Sequence, residues 1–356
     1  MSTARGTRVT IVDVANAAGV MPSTVSKALN GGRGSAEVRR RVEEAAARLG
    51  YRPNQRARGL RRSESRSIGV LIPDLANAMF LQWLRGVEQA AQERAYVVLI
   101  ADGQRSDDAE TAALERFFDQ GVDGLLLGGP VTTDALRLYV DHGVPMAPVV
   151  DASGRGPLRV WEQGETAATR EMASRLLELG HRRFAFVSTP APKGRQGASY
   201  RRGRFGALAA LLSRARAELT GAIVDPSGGY DGCREDLIRA IQAGEATAMV
   251  CANHLLAPWT LMALDESGLR VPDDVSLVVH GDSDWARAYH PPLSVIRRDH
   301  EAEGYELACS LLDAIAGTGD AHPPEARPAE YVERGSCAPP PSGRRPRTAK
   351  PRSPAR

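Results

Sequence analysis

The residues of this chain whose types and spacing could do chemistry form a recognition set rather than a catalytic one. Pro22, Ser23, Thr24, Ser26 and Lys27 crowd into one short stretch, PSTVSKAL, where only Val25, Ala28 and Leu29 offer an apolar face. On a helix those three side chains turn inward and the short polar ones turn out, which suits hydrogen bonding to base edges and phosphates in a major groove. Signatures of catalysis are missing: there is no GxSxG, Walker motif or HExxH, and the glycines of VDGLLLGG do not make GxGxxG. The seven histidines show no ligand spacing. Cys233, Cys251, Cys309 and Cys337 lie far apart with no CxxC, so neither a zinc finger nor a disulfide framework is indicated. The chain therefore reads as a binding protein and not an enzyme, with no cofactor and no catalytic or metal-ligating residues.

Three elements must position that polar stretch. Ile11, Val14, Ala15 and Ala18 recur at helical spacing, which predicts a helix over 10–18 with Thr10 as its cap, Asp13 at the third helical position and Gly19 ending it. After a turn, Pro22 stands where a first helical position would be, the one helix site at which a missing N–H costs nothing. This is a helix-turn-helix with the second helix free to enter a groove. A third helix is expected from Ser35, with Val38, Val42, Ala45, Ala46 and Leu49 on one face and Gly50 as its C-terminal stop. Tyr51-Arg52-Pro53-Asn54 follows, then an Arg-rich segment, 55–62, containing the lone Leu60.

The net charge of +3 conceals its distribution. Residues 1–67 hold 14 Lys/Arg against 5 Asp/Glu, residues 335–356 hold 6 basic residues and no acids, and the middle is therefore −12. A basic head on an acidic body marks a polyanion-binding module joined to something that does not touch the polyanion.

VTIVDVANAAGV, STVSKALNG, RVEEAAARLGYRPN and ARGLR resemble the headpiece and hinge helix of the LacI/GalR family of bacterial transcriptional regulators, densely over Thr10–Arg62. The resemblance implies a homodimer whose paired hinge helices each wedge one Leu into the minor groove of a pseudo-palindromic operator, and Leu60 is the residue matching that wedge. It implies DNA contacts from Thr10, Pro22, Ser23, Thr24, Ser26, Lys27, Asn30, Tyr51, Asn54, Arg58 and Leu60. The chain departs from the family at Met21, where a capping Ser is usual, so the second helix should start weakly unless Ser23 or DNA phosphate compensates. It departs again at Gly59, where Ser is common, which should leave the hinge as coil until operator is bound.

From Ser67 the texture changes to alternating apolar strands and helices. SIGVLIP, AYVVLIAD, VDGLLLGG and VPMAPVVD alternate with helices expected over 80–94, 108–120 and 133–142, and the pattern restarts after Asp151 with RRFAFVST, GAIVDP, TAMVCAN, VSLVVHGD and LSVIRRD. Its helices are expected over 165–179, 204–217, 232–243, 257–268 and 304–316. Repeated units of this kind argue two parallel, doubly wound sheets with a cleft between two lobes. SIGVLIPDLAN, LLELGHRRFAFVS and GLRVPDDVSLVV continue the family resemblance, which implies the α/β two-lobed, periplasmic-binding-protein-like effector domain. The fold class expected is thus an N-terminal all-α helix-turn-helix headpiece plus that domain. Its boundaries are a headpiece over 1–53, hinge helix and linker over 54–67, a two-lobed effector-binding and dimerisation domain over 68–334, and a disordered basic Pro-rich tail over 335–356.

Carried over residue by residue, the resemblance puts effector contacts at Asp74, Asn77 and Phe80 after the first strand, and at Asp151, Arg202, Tyr230, Asn253 and Asp282. Departures stand at Ala78, Met79, His254 and His280. Asp, Asn and Arg with an aromatic platform suit a sugar or similar polyol, and purine-like ligands use the same groups. The function implied is a sequence-specific DNA-binding regulator, a repressor, whose operator affinity a small-molecule effector controls. The rival reading is a solute-binding protein of the periplasmic type, which would need a signal peptide and has no use for a helix-turn-helix. Residues 1–8 lack an apolar core and no run approaches membrane-spanning length, so a cytoplasmic protein, associated with the nucleoid, is expected.

Overall fold

The computed structural model describes residues 9–29, 35–51, 64–104, 106–129, 131, 134–148, 157–189, 195–224, 228–321 and 327–342. The chain divides after Ser65 into two compact units.

The first unit holds α1 (Ile11–Ala18), α2 (Pro22–Leu29) and α3 (Ala36–Leu49). α1 and α3 start and stop, and α2 starts at Pro22, as the residue types dictate. Thr10 and Asp13 form a reciprocal capping box and Gly19 closes α1 at φ 65°. Ser35 caps α3 and Gly50 ends it at φ 64°. Val14, Ala15, Ala18, Val25, Val42, Ala45 and Ala46 make one small core, with Ile11, Ala28, Leu29, Val38 and Leu49 packed around it. The Arg41 guanidinium reaches across to the Ala18 carbonyl, tying α3 to the C-terminal end of α1.

The second unit has two sheets. Strands β1 (Ser67–Ile72), β2 (Val97–Asp102), β3 (Gly124–Leu127) and β4 (Met146–Pro148) lie in the order β2-β1-β3-β4, every pair parallel. Strands β5 (Arg183–Ser188), β6 (Glu218–Ile223), β7 (Ala248–Cys251), β8 (Ser276–His280), β9 (Ser294–Arg297) and β10 (Glu330–Val332) lie in the order β10-β9-β8-β7-β5-β6. β10 is antiparallel to β9. It is absent from the sequence expectation because three residues are too few to show a period.

Helices α4 (Ala78–Glu93), α5 (Asp107–Asp119) and α6 (Leu136–Asp141) serve the first sheet. Helices α7 (Pro157–Glu178), α8 (Arg195–Arg214), α9 (Gly229–Gly244), α10 (Leu256–Glu266) and α11 (Asp284–Ala288) serve the second. The last helix, α12 (His300–Ile315), follows the second sheet in sequence but returns to the first lobe. Its Leu307, Ala308, Leu311 and Leu312 join Ile68, Val70, Trp83 and Val87 in one core. Two glycines permit its close approach to α4: a Cβ on Gly86 would fall 1.9 Å from the Glu301 carbonyl oxygen, and one on Gly304 would fall 2.0 Å from that of Trp83.

Four sequence expectations need correction. α7 and α8 begin earlier than 165 and 204, and α12 starts at His300 rather than 304. The segment from 335 is not all tail. Ser336 is fully buried, its hydroxyl donates to the Leu277 carbonyl (2.6 Å) and accepts from the Ser294 amide (2.8 Å), and its carbonyl accepts from the Leu277 amide (3.0 Å). His181, in the LGHRR turn, places Nε2 3.0 Å from both Ser276 Oγ and the Ala338 carbonyl. Composition alone missed this strap, because it is held by its backbone and one small side chain, not by an apolar run. Residues 343–356 lie outside the described residues.

Candidate DNA interface and effector cleft

In the headpiece, Val25 is fully buried and anchors α2, while Ser23 and Lys27, one helical turn apart, are exposed. Pro22, Thr24 and Ser26 are half-buried along the same helix. Thr10 is exposed, but its hydroxyl and amide are engaged with the Asp13 carboxylate at 2.8 and 2.7 Å. Hydrogen bonds from the Thr10 amide and then its hydroxyl hold that carboxyl below the usual carboxylate range. Tyr51 is half-buried against the headpiece core. Asn30, Asn54, Arg58 and Leu60 lie outside the described residues. Met21 supplies its carbonyl to the Thr24 and Val25 amides, at 2.8 and 3.1 Å, and has no side-chain oxygen to add.

In the effector domain, Asp74, Asn77, Asn253 and Asp282 follow the ends of strands, where doubly wound sheets bind their ligands, whereas Phe80, Arg202 and Tyr230 lie on helices. Most already hold a local partner. Asp74 Oδ1 accepts from the Ala76 amide at 2.9 Å, and Asn77 Oδ1 caps α4 through the Met79 amide at 3.2 Å. Phe80 is buried in the first-lobe core. Asn253 Oδ1 accepts from the Leu255 and Leu256 amides at 3.0 and 3.1 Å, opening α10. The Tyr230 hydroxyl donates to Glu266 at 2.9 Å, a carboxylate that Arg234 also holds. Asp282 Oδ2 accepts from Arg334 at 2.7 Å and Arg287 at 2.8 Å. Arg202 lies on α8 with its side chain outside the described residues, as is Asp151.

Sequence reasoning missed the most charged feature of this domain. Glu165 on α7 is buried and takes both oxygens to Arg204 on α8, at 2.6 Å each. Arg204 spends its remaining Nη1 on the Ala252 carbonyl, also at 2.6 Å. From the crossing after β9, Arg298 donates to Glu165 at 3.2 Å and to Glu303 on α12 at 2.9 and 2.5 Å. His300 Nδ1 closes on the other Glu303 oxygen at 3.2 Å. Burial alone would raise the Glu165 carboxyl, but the charge and hydrogen bonds of Arg204, helped by His280 and Arg298, bring it well below the carboxylate range. His280 Nδ1 stands 3.7 Å from Glu165, and burial, then Arg204, push its imidazole down to about 3. Burial and then His300 push His254 down to about 4. Among the described residues neither His280 Nδ1 nor His254 Nε2 has a hydrogen-bond partner. Nothing in the sequence spacing linked Glu165 with Arg298 across 133 positions; the only local signal was the third arginine of SYRRGRFGAL, Arg204.

Among the described residues no group of three or more His, Cys, Asp or Glu is placed to hold a metal ion, and no helix is long and apolar enough to cross a membrane.

Comparison with known proteins matches residues 10–54 to the bacterial regulatory proteins, lacI family, and residues 173–337 to the periplasmic binding protein-like domain. The HTH-type transcriptional repressor CytR of Escherichia coli is 30% identical over 342 residues, covering 93% of this chain and 96% of the relative. Catabolite control protein A of Streptococcus mutans is 30% identical over 296 residues, covering 81% and 86%. Among solved structures, the Lac repressor dimer bound to operator and the anti-inducer ONPF superposes with a TM-score of 0.76 at 27% identity, covering 93% of this chain and 100% of that one. A complex of the transcriptional regulator CelR with cellobiose gives 0.64 at 26% identity, covering 92% and 100%. The chain therefore belongs to the lacI family of bacterial regulatory proteins and is a DNA-binding transcriptional regulator, not an enzyme, with a periplasmic-binding-protein-like effector domain.

Proposed function

We propose that this regulator is a homodimeric repressor of a pseudo-palindromic operator, with α2 of each headpiece in a major groove and each Leu60 wedged into the minor groove. The observation that carries it is α2 itself: Val25 holds the helix in the core while Ser23 and Lys27 face solvent, free for bases and phosphates. Two-fold symmetry in the protein demands two half-sites in the DNA. The effector is a sugar or related metabolite bound between the two lobes and reached by Asp74, Asn77, Phe80, Asp151, Arg202, Tyr230, Asn253 and Asp282. A CelR relative solved with cellobiose supports that class. Binding requires Asp74, Asn77 and Asn253 to leave their local amide partners, or to add a ligand to them. The protein works in the cytoplasm, on the nucleoid.

The test is selection of duplexes from a random pool by the full-length protein, followed by footprinting. Protection of two symmetric half-sites is expected. A single half-site bound at full affinity by a monomer sinks the proposal. A thermal-shift screen of sugars and nucleobases identifies the effector class.

A further inference from the structure

Met21 is 70% exposed, and it stands at the leading end of the helix that presents Ser23 and Lys27 to solvent. The backbone fixes its place, since the Thr24 and Val25 amides both donate to its carbonyl. Its side chain is not part of the headpiece core, which is made by Val14, Ala15, Val25, Val42 and their neighbours. A helix start favours an oxygen-bearing side chain at this position, and methionine forgoes it. An apolar side chain that neither caps nor packs stays available on this face for an apolar partner. The thymine C5-methyl is the apolar group that a major groove displays, and a flexible, polarizable thioether adapts well to it.

Resting on the DNA-binding reading above, we infer that Met21 is a specificity-determining residue that packs on a thymine methyl in each operator half-site. The polar side chains of α2 then fix register on phosphates and polar base edges, while Met21 separates thymine from the other bases at one position.

The experiment uses full-length protein and the operator it selects from random duplexes. Each thymine of the half-site is replaced in turn by deoxyuridine, which removes the methyl and nothing else, and affinity is measured at one fixed salt concentration. One symmetric thymine should weaken binding about fourfold when it loses its methyl, the worth of one buried methyl group. Met21→Gln should bind both duplexes equally, and Met21→Leu should keep the discrimination. Thermal melts of both variants are expected to match the parent, because an exposed side chain contributes no core packing. The inference is overturned if the parent ignores every thymine-to-uracil change, or if Met21→Gln still discriminates. Failure to enrich any sequence overturns the DNA-binding reading itself, so the two failures are distinguishable.

Discussion

Arg298 donates Nε and Nη2 to a single carboxylate oxygen of Glu303 and directs Nη1 at Glu165, so one guanidinium joins α12 of the first lobe to α7 of the second. With the half-buried Arg204 on the far side of Glu165, four charges, three of them buried, alternate in sign along a line that crosses between lobes. Taking such charges out of water is costly, and the arrangement survives because each has a close, hydrogen-bonded partner of opposite sign.

Arg298→Met should therefore destabilise the effector domain by about 3–5 kcal/mol, because Glu303 loses its guanidinium and Glu165 keeps only Arg204. Adding Glu303→Gln should recover part of that loss, since it removes the charge left behind. Denaturant unfolding of the parent, both single variants and the double variant measures it. Additive effects in that cycle would mean the two side chains are not coupled.

The two buried imidazoles give stability a pH dependence of known sign. His280 and His254 have pKa values of about 3 and about 4 in the fold against 6.5 in the unfolded chain, so between those limits the unfolded state binds more protons. Stability is complete above pH 6.5 and declines as pH falls toward 4, by up to about 1.4 kcal/mol per pH unit for each histidine. Below 4.5 the depressed Glu165 adds a further loss in the same direction. Unfolding free energies at pH 7, 6, 5 and 4 test this, with His254→Gln expected to flatten the slope. A level profile from 7 to 5 would show that the imidazoles are hydrated in solution.

What the sequence made legible was whatever local chemistry determines. Thr10, Asp13, Gly19, Pro22, Ser35 and Gly50 mark helix ends through side-chain oxygens, a missing N–H or a left-handed turn; α1 and α3 begin and end there, and α2 begins there. Apolar runs found the central strands for the same reason. The Arg204–Glu165–Arg298–Glu303 chain was not legible, because its members are brought together by the crossings between lobes and not by spacing. Asn77 and Asn253 carry a similar lesson: a polar residue just beyond a strand serves the next helix as a cap, and sequence alone does not tell that from a ligand contact.

Leu60→Ala should weaken operator binding roughly tenfold or more, the scale expected for removing buried methyl and methylene groups from an intercalating wedge, while leaving effector binding unchanged. Mobility-shift titrations and a ligand-binding isotherm on the same protein separate the two effects. Undiminished operator affinity would remove Leu60 from the minor groove.

The last prediction concerns coupling between effector and operator. If, on the proposed function, effector draws the two lobes together, it would alter the spacing of the first-lobe ends from which paired hinges would emerge, and so bias whether those hinges fold. Gly59 lowers the helical preference of the hinge by about 1 kcal/mol relative to Ala, which keeps that folding close to balance. A coupling of about 1–3 kcal/mol, the ordinary range for linked sites, is then enough to switch it. Gly59→Ala should stabilise the hinge helix, tighten operator binding by about fivefold and blunt the effector response, since a hinge already biased toward helix responds less to lobe spacing. Operator affinity is measured for both proteins with and without the effector found by thermal shift, at one salt concentration, because phosphate contacts dominate the total. If the alanine variant matches the parent in affinity and in response, hinge folding is not the switch, and reorientation of intact headpieces becomes the mechanism to test.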